Sequence, residues 1–367
     1  MIMKRIQSMT WFIGILICIS CTGCFHETKT PALPKVILSV APFQDTLLPI
    51  IGENKGWFKE AGVDVEIKLL PWYSAQEALA SGSVDVAMGN ISSVIGSHNN
   101  FPTNVYAYGF DIFDNGFAIM VRPKSGMKTA QQLQTGTVSP EQAARAAILQ
   151  LKGKTIITTA HTDMEQVVSY AVRAAGMTMY KDVKVIDMEP DEGLAAFLRG
   201  TGDAYLGGIP QRSRALKEGD VELVSGPLLG PSEINGLVTT TKFMSSHEDE
   251  LLRILNVIFR IVNYTNQNID DSARIVVAEM NKDTAAKFTV DDFKKYWNHY
   301  EHYTANPEQA QQQILNPSSP TYWKRRWDDT NDYFVGVAKT IPKPVDPRNV
   351  FLMEEVQQRY ISKYGAH

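Results

Sequence analysis

The chain has 367 residues, of which 44% are hydrophobic and 21% charged, and its formal net charge is −4. At roughly 150 residues per domain, this length allows about two or three domains, and the composition excludes a disordered, collagen-like or disulfide-dense chain. An acidic chain of this kind argues against a nucleic-acid-binding protein, which usually needs a basic face. A single apolar run near membrane length lies at the N-terminus, so a polytopic membrane protein is excluded as well.

Residues 1–24 predict a secretory signal peptide. Two basic residues precede a compact apolar stretch, which is followed by small and polar residues. The end of this segment resembles a bacterial lipobox, because Gly23 stands directly before Cys24. We therefore predict lipidation of Cys24. Cys21 stands where the lipobox usually has Leu and offers a second lipidation site, and plain cleavage or an uncleaved anchor stays an alternative.

The chain after Cys24 has no cysteine, because the three cysteines all lie in the predicted signal peptide. A disulfide and a cysteine-based metal or nucleophile site are therefore excluded there. Such a body suits a protein exported to an oxidising compartment. Residues 25–34 are polar and carry prolines, which predicts a tether between a lipid anchor and a globular body. We expect an exported protein on the periplasmic or cell-surface side, anchored to the membrane by lipid.

The body of the chain alternates strands with helices in units of about 30 residues, which predicts parallel sheets with crossover helices. The same order of elements occurs twice, and this favours two similar α/β lobes. In the first unit we predict strands at 36–40, 63–69 and 84–88, and helices at 46–62, 74–81 and from 89 onward. In the second unit we predict strands at 154–158, 183–188 and 203–206, and helices at 160–176 and 191–200.

Two further apolar strands, at 116–122 and 236–241, are placed to carry the chain into the second lobe and back. From them we predict a first lobe at 35–117, a second lobe at 118–238, and a C-terminal helical part of the first lobe at 239–367. The Ala- and Gln-rich segment 125–150 is predicted to be helical and exposed.

Four motifs resemble those of the solute-binding proteins of ABC importers, in the branch for nitrate, sulfonates, taurine and thiamine precursors. They are KGWFKEAGVDVE at 55–66, SGSVDVA at 81–87, LKGKTI at 151–156 and AAFLRGTGDA at 195–204. The resemblance implies an α/β fold of the type 2 periplasmic-binding-protein kind. It has two lobes, each a mostly parallel sheet flanked by helices, and two hinge strands. The motif residues themselves are predicted to shape the fold, with Asp85 and Asp203 fixing equivalent turns.

The resemblance also implies a function. We expect a lipoprotein that captures a small polar or anionic organic molecule, such as a sulfonate, taurine or nitrate, between its lobes and delivers it to a membrane permease. A separate ATPase would supply energy, and we expect a monomer with no cofactor, no metal and no catalysis. The alternatives are a thiamine or pyrimidine precursor or another heterocycle as ligand, a non-transport sensor, and a pyrimidine-precursor synthase-like enzyme. The Cys-rich motif of such synthases is absent from this chain.

Ligands of open α/β sheets bind beyond the carboxyl ends of the strands. Four such loops are readable, at 42–45, 72–74, 89–92 and 159–163. The last two precede helices, whose free N–H groups suit an anionic or polar ligand, although Ser, Thr and Asp in these places equally serve as helix caps. The predicted ligand-binding residues are Phe43, Gln44, Asp45, Trp72, Tyr73, Asn90, Ile91, Ser92, Asp114, Asn115, Thr159, Ala160, His161, Thr162, Asp163, Gly208, Glu233 and Asn235.

The charge of the ligand stays open. Helix N-termini and hydroxyl groups favour an anion, whereas the acids at 45, 111, 114 and 163 favour a cation or a heterocycle. Taurine-binding relatives have an acid where this chain has Asn235, so recognition of an amine at that point is in doubt. The aromatic residues at 43, 72 and 73 either wall the cleft or pack in the core.

Two other clusters of residues in the sequence are candidates for a site. His299 and His302 flank Glu301, but they are three residues apart and the helical zinc motif needs four, so helix packing is favoured over a metal site. The basic and aromatic run Tyr322–Trp327 is predicted to be a solvated helix face, with contact to a permease or a lipid surface as the alternative.

Overall fold

The computed structural model describes residues 32–283 and 287–366, without the side chains of Tyr73 and Asp283. The predicted signal peptide, Cys24 and most of the predicted tether lie outside the described residues. Within the described ranges, no helix is both long enough and apolar enough to span a membrane.

A six-stranded and a five-stranded sheet form the centre of the described chain. The strands in chain order are β1 (Lys35–Val40), β2 (Asp64–Leu69), β3 (Val86–Asn90), β4 (Asn104–Phe113), β5 (Ala118–Val121), β6 (Thr155–Thr158), β7 (Lys184–Asp187), β8 (Ala204–Tyr205), β9 (Val221–Ser225), β10 (Glu233–Thr240) and β11 (His302–Tyr303). The first sheet has the order β11-β4-β10-β3-β1-β2 and the second β7-β6-β8-β5-β9.

Both sheets are mixed. In the first, β1 runs parallel to β2 and β3, and β10 is antiparallel to β3 and β4. In the second, β6 runs parallel to β7 and β8, and β5 is antiparallel to β8 and β9. The chain passes to the second sheet between β4 and β5 and returns between β9 and β10. The limits predicted for the lobes, at residues 35–117, 118–238 and 239–367, stay predictions.

Helices cover the sheets, as the alternating pattern predicts. In chain order they are α1 (Pro49–Asn54), α2 (Trp57–Glu60), α3 (Ala75–Ser81), α4 (Ile91–Ser97), α5 (Ala130–Leu133), α6 (Pro140–Leu149), α7 (Asp163–Ala174), α8 (Pro190–Leu198), α9 (Ile209–Lys217), α10 (Thr241–Gln267), α11 (Ile269–Asp283), α12 (Val290–His299), α13 (Pro307–Ala310), α14 (Trp323–Asp332) and α15 (Met353–Tyr364).

Three details differ from the sequence-based expectation. The single helix predicted at 46–62 is wrong: α1 and α2 are separated at Gly56, whose φ of 74° is left-handed and ends the helical hydrogen-bond pattern. Strands β4, β9 and β11 are not among the predicted strands; β4 is buried along its whole length and shows no alternation of polar and apolar side chains. The segment 125–150 contains α5 and α6, but α6 buries Ala143, Ala147 and Ile148, so this face is not exposed as predicted.

In each sheet, an aspartate at an equivalent position joins two neighbouring parallel strands. Asp85 accepts a hydrogen bond from the Ile37 N–H at 2.8 Å, and Asp203 accepts one from the Thr155 N–H at 2.9 Å. Each aspartate stands directly before a strand, β3 or β8, and reaches the neighbouring parallel strand, β1 or β6. This agrees with the structural role predicted for the two aspartates.

Candidate functional site

A cavity of about 30 Å³ lies where loops from both sheets meet. This is room for about two water molecules. The first sheet contributes residues that follow β1 and β2 together with Asn235 of β10, and the second contributes the starts of α7 and α9, which follow β6 and β8. Carboxyl ends of parallel strands are where α/β sheets bind ligands. The lining residues are Phe43, Gln44, Asp45, Trp72, Phe113, Phe117, Asp163, Met164, Gly208, Ile209 and Asn235.

Aromatic rings form much of the cavity wall. Phe43 and Trp72 meet edge to face with ring centroids 5.8 Å apart, and Phe113 and Phe117 do so at 4.7 Å. Gly208 lets the Phe43 ring approach the start of α9, because a Cβ atom at this position would lie 2.9 Å from a ring carbon. The rings offer flat apolar surface to a ligand.

Three buried carboxylates stand side by side, and one of them, Asp45, lines the cavity. Asp45, Asp111 and Glu301 each place one oxygen within 4.8 Å of the others. The Asn235 amide nitrogen donates to Asp45 at 3.0 Å and to Asp111 at 2.8 Å. The Gln44 amide nitrogen donates to Glu301 at 2.9 Å, and the hydroxyl of Tyr303 donates to the same carboxylate. We call Asp45, Asp111 and Glu301 the acidic cluster.

The acidic cluster is held by neutral side-chain donors, namely two amides and a phenol. Burial raises the pKa of Asp45 to about 6. Burial, and then the charges of the neighbouring carboxylates, raise the pKa values of Asp111 and Glu301 well above their usual range. Three carboxylate oxygens at this spacing have the chemistry of a metal ligand set, but the amide hydrogens of Asn235 point at two of them. We therefore assign no metal ion to the cluster.

A fourth carboxylate, that of Asp163, lies at the start of α7. It accepts from the Asn90 amide nitrogen at 2.9 Å and from the Met164 N–H at 3.0 Å. Burial raises its pKa to about 7; the charge of Glu233 adds to this effect and that of Arg326 opposes it. The Asn90 side chain also accepts from the Ser93 N–H and so caps α4. One side chain therefore makes both the predicted helix cap and the contact with Asp163 of the second sheet's α7.

Glu233 has a different environment, because Arg326 pairs with it inside the protein. The guanidinium donates to one Glu233 oxygen from Nε at 2.9 Å and from Nη2 at 2.6 Å, and only 2% of the Arg326 side chain is exposed. The Ser92 hydroxyl lies within hydrogen-bond distance of the same oxygen, at 2.5 Å, and of the Gln166 amide oxygen of α7, at 2.9 Å. The predicted ligand residues Glu233 and Ser92 thus take part in a network that joins α4, β10, α7 and α14.

The run Tyr322–Trp327 is not a solvated face as predicted. Trp323, Arg326 and Trp327 are buried, and only Lys324 and Arg325 of this run are exposed. The spacing of the buried residues, at i, i+3 and i+4, is that of one helix face and could have revealed this. A charged residue on such a face points to a buried partner, which is Glu233.

Most predicted residues of the 159–163 loop shape the turn before α7. The Thr159 hydroxyl donates to the Met188 carbonyl at 2.9 Å, and the Thr162 hydroxyl accepts from the Met164 N–H at 3.2 Å. The Ala160 N–H donates to Asp187 at 2.8 Å. His161 is exposed and has a left-handed φ of 59°. Within this loop, Asp163 is the predicted residue that lines the cavity.

Asp114, Asn115 and Ile91 are not among the residues that line the cavity. Asp114 pairs with His302 at 3.2 Å, and Asn115 donates to the His299 carbonyl at 3.1 Å. Ile91 is fully buried in the core. The side chain of Tyr73 lies outside the described residues.

The predicted residues that do line the cavity are Phe43, Gln44, Asp45, Trp72, Asp163, Gly208 and Asn235. The lining residues that sequence reasoning missed are Phe113, Phe117, Met164 and Ile209. These four are apolar, and nothing in their local sequence separates them from core residues. In the sequence, Glu301 is distinguished only by its position between two histidines. Its place beside Asp45 depends on a long-range contact that the local sequence does not indicate.

Two mixed α/β sheets that turn the ends of their parallel strands to one cavity define a two-lobed protein of the periplasmic-binding-protein fold. The chain belongs to the NMT1-like family, which it matches over residues 29–281. This confirms the family that the four motifs indicated.

Solved structures agree on the fold. The periplasmic aliphatic sulphonate binding protein SsuA from Escherichia coli superposes with a TM-score of 0.65 at 16% identity, covering 87% of this chain and 92% of that chain. The periplasmic nitrate-binding protein NrtA from Synechocystis PCC 6803 superposes with a TM-score of 0.59 at 16% identity, covering 91% and 99%. At these identities the likeness establishes the fold, and the expected two-lobed α/β class is confirmed.

A relative from Bacillus subtilis (strain 168), whose name assigns it provisionally to the binding of aliphatic sulfonates, is 27% identical over 238 residues. The alignment covers 63% of this chain and 66% of that protein, just under two thirds of its length.

Proposed function

We propose that this chain is the extracytoplasmic solute-binding lipoprotein of an ABC importer. It captures a small polar organic molecule in the cavity and presents it to a membrane permease, while a separate ATPase supplies energy. The observation that carries the proposal is that loops of both sheets line one cavity, so a bound solute would contact both halves of the protein. The names of the relatives support the same class of protein.

The start of α9 supports an anionic or polar head on the solute. Gly208 and Ile209 line the cavity, and no side chain caps this helix. Free N–H groups and the positive end of the helix dipole favour an anionic group there. The relatives named for aliphatic sulfonates and for nitrate support a sulfonate-, taurine- or nitrate-like head.

The aromatic wall supports a second candidate ligand, a thiamine or pyrimidine precursor or another heterocycle. Four aromatic side chains line the cavity, and such a ring would stack on them. In both cases the protein acts by binding, with no covalent step.

A cavity of about 30 Å³ is too small for an organic solute, so we propose that the two lobes separate to admit it. The lobes would be those predicted from the sequence, at 35–117 with 239–367 and at 118–238. The chain crossings before β5 and β10 would act as hinges. The contacts that must open include those of Asn90 with Asp163 and of Ser92 with Gln166.

Calorimetric titration and thermal unfolding of the full-length chain test the proposal, with sulfonates, nitrate, amines, pyrimidines and aromatic acids as solutes. A solute at 100 times its dissociation constant should stabilise the folded state by about 2.7 kcal/mol. A single class of binding solutes would support the proposal. No binding and no stabilisation by any compound, with a cooperatively unfolding sample, would contradict it.

The predicted lipid anchor is tested separately. Radiolabelled fatty acid should be incorporated into the expressed chain, and Cys24→Ser should abolish this and release the protein from the membrane. Cys21→Ser is the matched control and should leave both unchanged. Loss of labelling in Cys21→Ser alone would move the lipidation site to that residue.

A further inference from the structure

We propose that the solute carries a positively charged nitrogen, which binds between Asp45 and Asp163 in the cavity. The inference rests on the proposed function, because it concerns the ligand of the same site. Both carboxylates line the cavity, and among the described residues that line it there is no Lys, Arg or His. A buried carboxylate needs a partner, and the side chains that bond these two are neutral amides, while the charge of Arg326 acts on Asp163 without a hydrogen bond to it.

A second observation shows that hydrogen-bond donors are missing at this place. Among the described side chains, the amide oxygen of Gln44 has no hydrogen-bond partner, although Gln44 is only 1% exposed. Gln44 lines the cavity, and its amide nitrogen is bonded to Glu301, so the amide oxygen stands beside the acidic cluster. One oxygen of the buried Asp111 also lacks a partner among the residues that the structure describes. Buried acceptors are normally paired, and a protonated amine supplies several donors at once.

Two buried arginines of the described chain, Arg326 and Arg212, are engaged by other partners. Arg326 is held by Glu233. Arg212 pairs with Glu222 at 2.8 Å and donates to the Asn115 carbonyl at 2.7 Å. Neither guanidinium lines the cavity, and a cationic ligand would place a positive charge directly against Asp45 and Asp163.

The surroundings favour an organic cation over a metal ion. The Asn235 amide already donates to Asp45 and Asp111 and so occupies acceptor positions that a metal ion held by the three carboxylates would need. The rings of Phe43 and Trp72 line the same cavity, and aromatic faces attract alkylammonium and heteroaromatic cations.

A matched ligand series tests the inference by calorimetric titration of the full-length chain. The probes are propane-1-sulfonate, 3-aminopropane-1-sulfonate and propylamine, together with the aromatic pair benzylamine and toluenesulfonate. We expect a compound with an amine to bind about 10- to 100-fold more tightly than its partner without one, as for hydrogen bonds to charged groups.

Two variants locate the effect. Asp45→Asn and Asp163→Asn keep the shape of the side chain and remove its charge, and each should reduce or abolish the preference for the amine. Asp328→Asn is the matched control, because it removes one carboxylate from the exposed face of α14, where Asp328 pairs with Lys324. It should leave the preference unchanged, and the melting temperature of each variant establishes that it folds.

Three results would overturn the inference. The first is binding of sulfonates or other anions without any gain from an amine, which would leave the proposed function intact. The second is a preference for amines that survives both Asp45→Asn and Asp163→Asn. The third is stabilisation of the chain by magnesium or zinc chloride alone that is lost in Asp45→Asn. Failure of every compound in both this series and the wider panel would count against the proposed function itself.

Discussion

Glu233 and the acidic cluster are both buried carboxylates of this molecule, but their hydrogen-bond partners differ. Glu233 has a guanidinium on one oxygen and the Ile234 N–H on the other. Asp45, Asp111 and Glu301 have amides and a phenol, and their pKa values are raised. Burial of a carboxylate therefore does not by itself show whether its charge is neutralised within the protein. The hydrogen-bond partner shows this. Arg326 neutralises Glu233, whereas the carboxylates of the acidic cluster can be neutralised by protonation or by a ligand.

Removal of the guanidinium should have the largest effect. Arg326→Met leaves Glu233 buried without its partner, and breaking a buried ion pair in this way costs about 3–5 kcal/mol of the free energy of unfolding. Denaturant unfolding measures this. The double variant Arg326→Met/Glu233→Gln should recover part of the loss, because no uncompensated charge remains. A loss below about 1 kcal/mol in the single variant would show that Glu233 is neutralised by other means.

The cluster and Asp163 should make stability fall as the pH rises. The raised pKa values of about 6 for Asp45 and about 7 for Asp163 mean that the folded chain holds protons which the unfolded chain releases above its ordinary carboxyl pKa. The stability they contribute is complete below about pH 4 and is lost as the pH rises through 6 and 7.

The unliganded chain carrying Asp45→Asn should therefore show a smaller drop in melting temperature between pH 5 and pH 8 than the unchanged chain. The groups that face Asp45 are Asn235, Asp111 and Glu301, and they remain in both proteins. An equal drop in the two proteins would mean that Asp45 ionises at its ordinary pKa.

Neutralisation of one member of the cluster should matter much less than loss of Arg326. Burial raises the pKa of Asp111 well above its usual range and so favours the neutral carboxyl, which means that Asp111→Asn should change its charge less than the same substitution at a fully ionised carboxylate. We expect a change in the free energy of unfolding of about 1 kcal/mol or less, measured at pH 7. A loss as large as that of Arg326→Met would show that Asp111 is ionised and paired.

The sequence predicts the part of this arrangement that depends on local pattern. The strand–helix alternation, the loops after β1, β2, β6 and β8, and the turn-fixing roles of Asp85 and Asp203 all follow from residues close together in the chain. Whether a loop residue caps its helix or faces the ligand depends on side-chain direction. Thr162 and Asp163 are neighbours in sequence, yet the first caps α7 and the second lines the cavity.

The partner of a buried charge is a long-range property. Arg326 stands 93 positions after Glu233, and Glu301 stands 257 positions after Gln44. No local spacing connects such residues, which is why Arg326 was expected on a solvated face and Glu301 was not placed in the cleft. The helical spacing of Trp323, Arg326 and Trp327 was the available signal, and it indicates burial without naming the partner.

The smallest effect is expected on the same helix as the largest. Lys324 of α14 pairs with Asp328 one turn later at 2.6 Å, with side chains 46% and 59% exposed. Because water already solvates both charges and competes for the pair, Lys324→Met should change the free energy of unfolding by about 0.5 kcal/mol or less. Measured beside Arg326→Met, it compares an exposed ion pair with a buried one on the same helix, with methionine as the replacement in both variants. Similar losses in the two variants would refute the view that the buried partner, and not the number of ion pairs, determines the stability of this region.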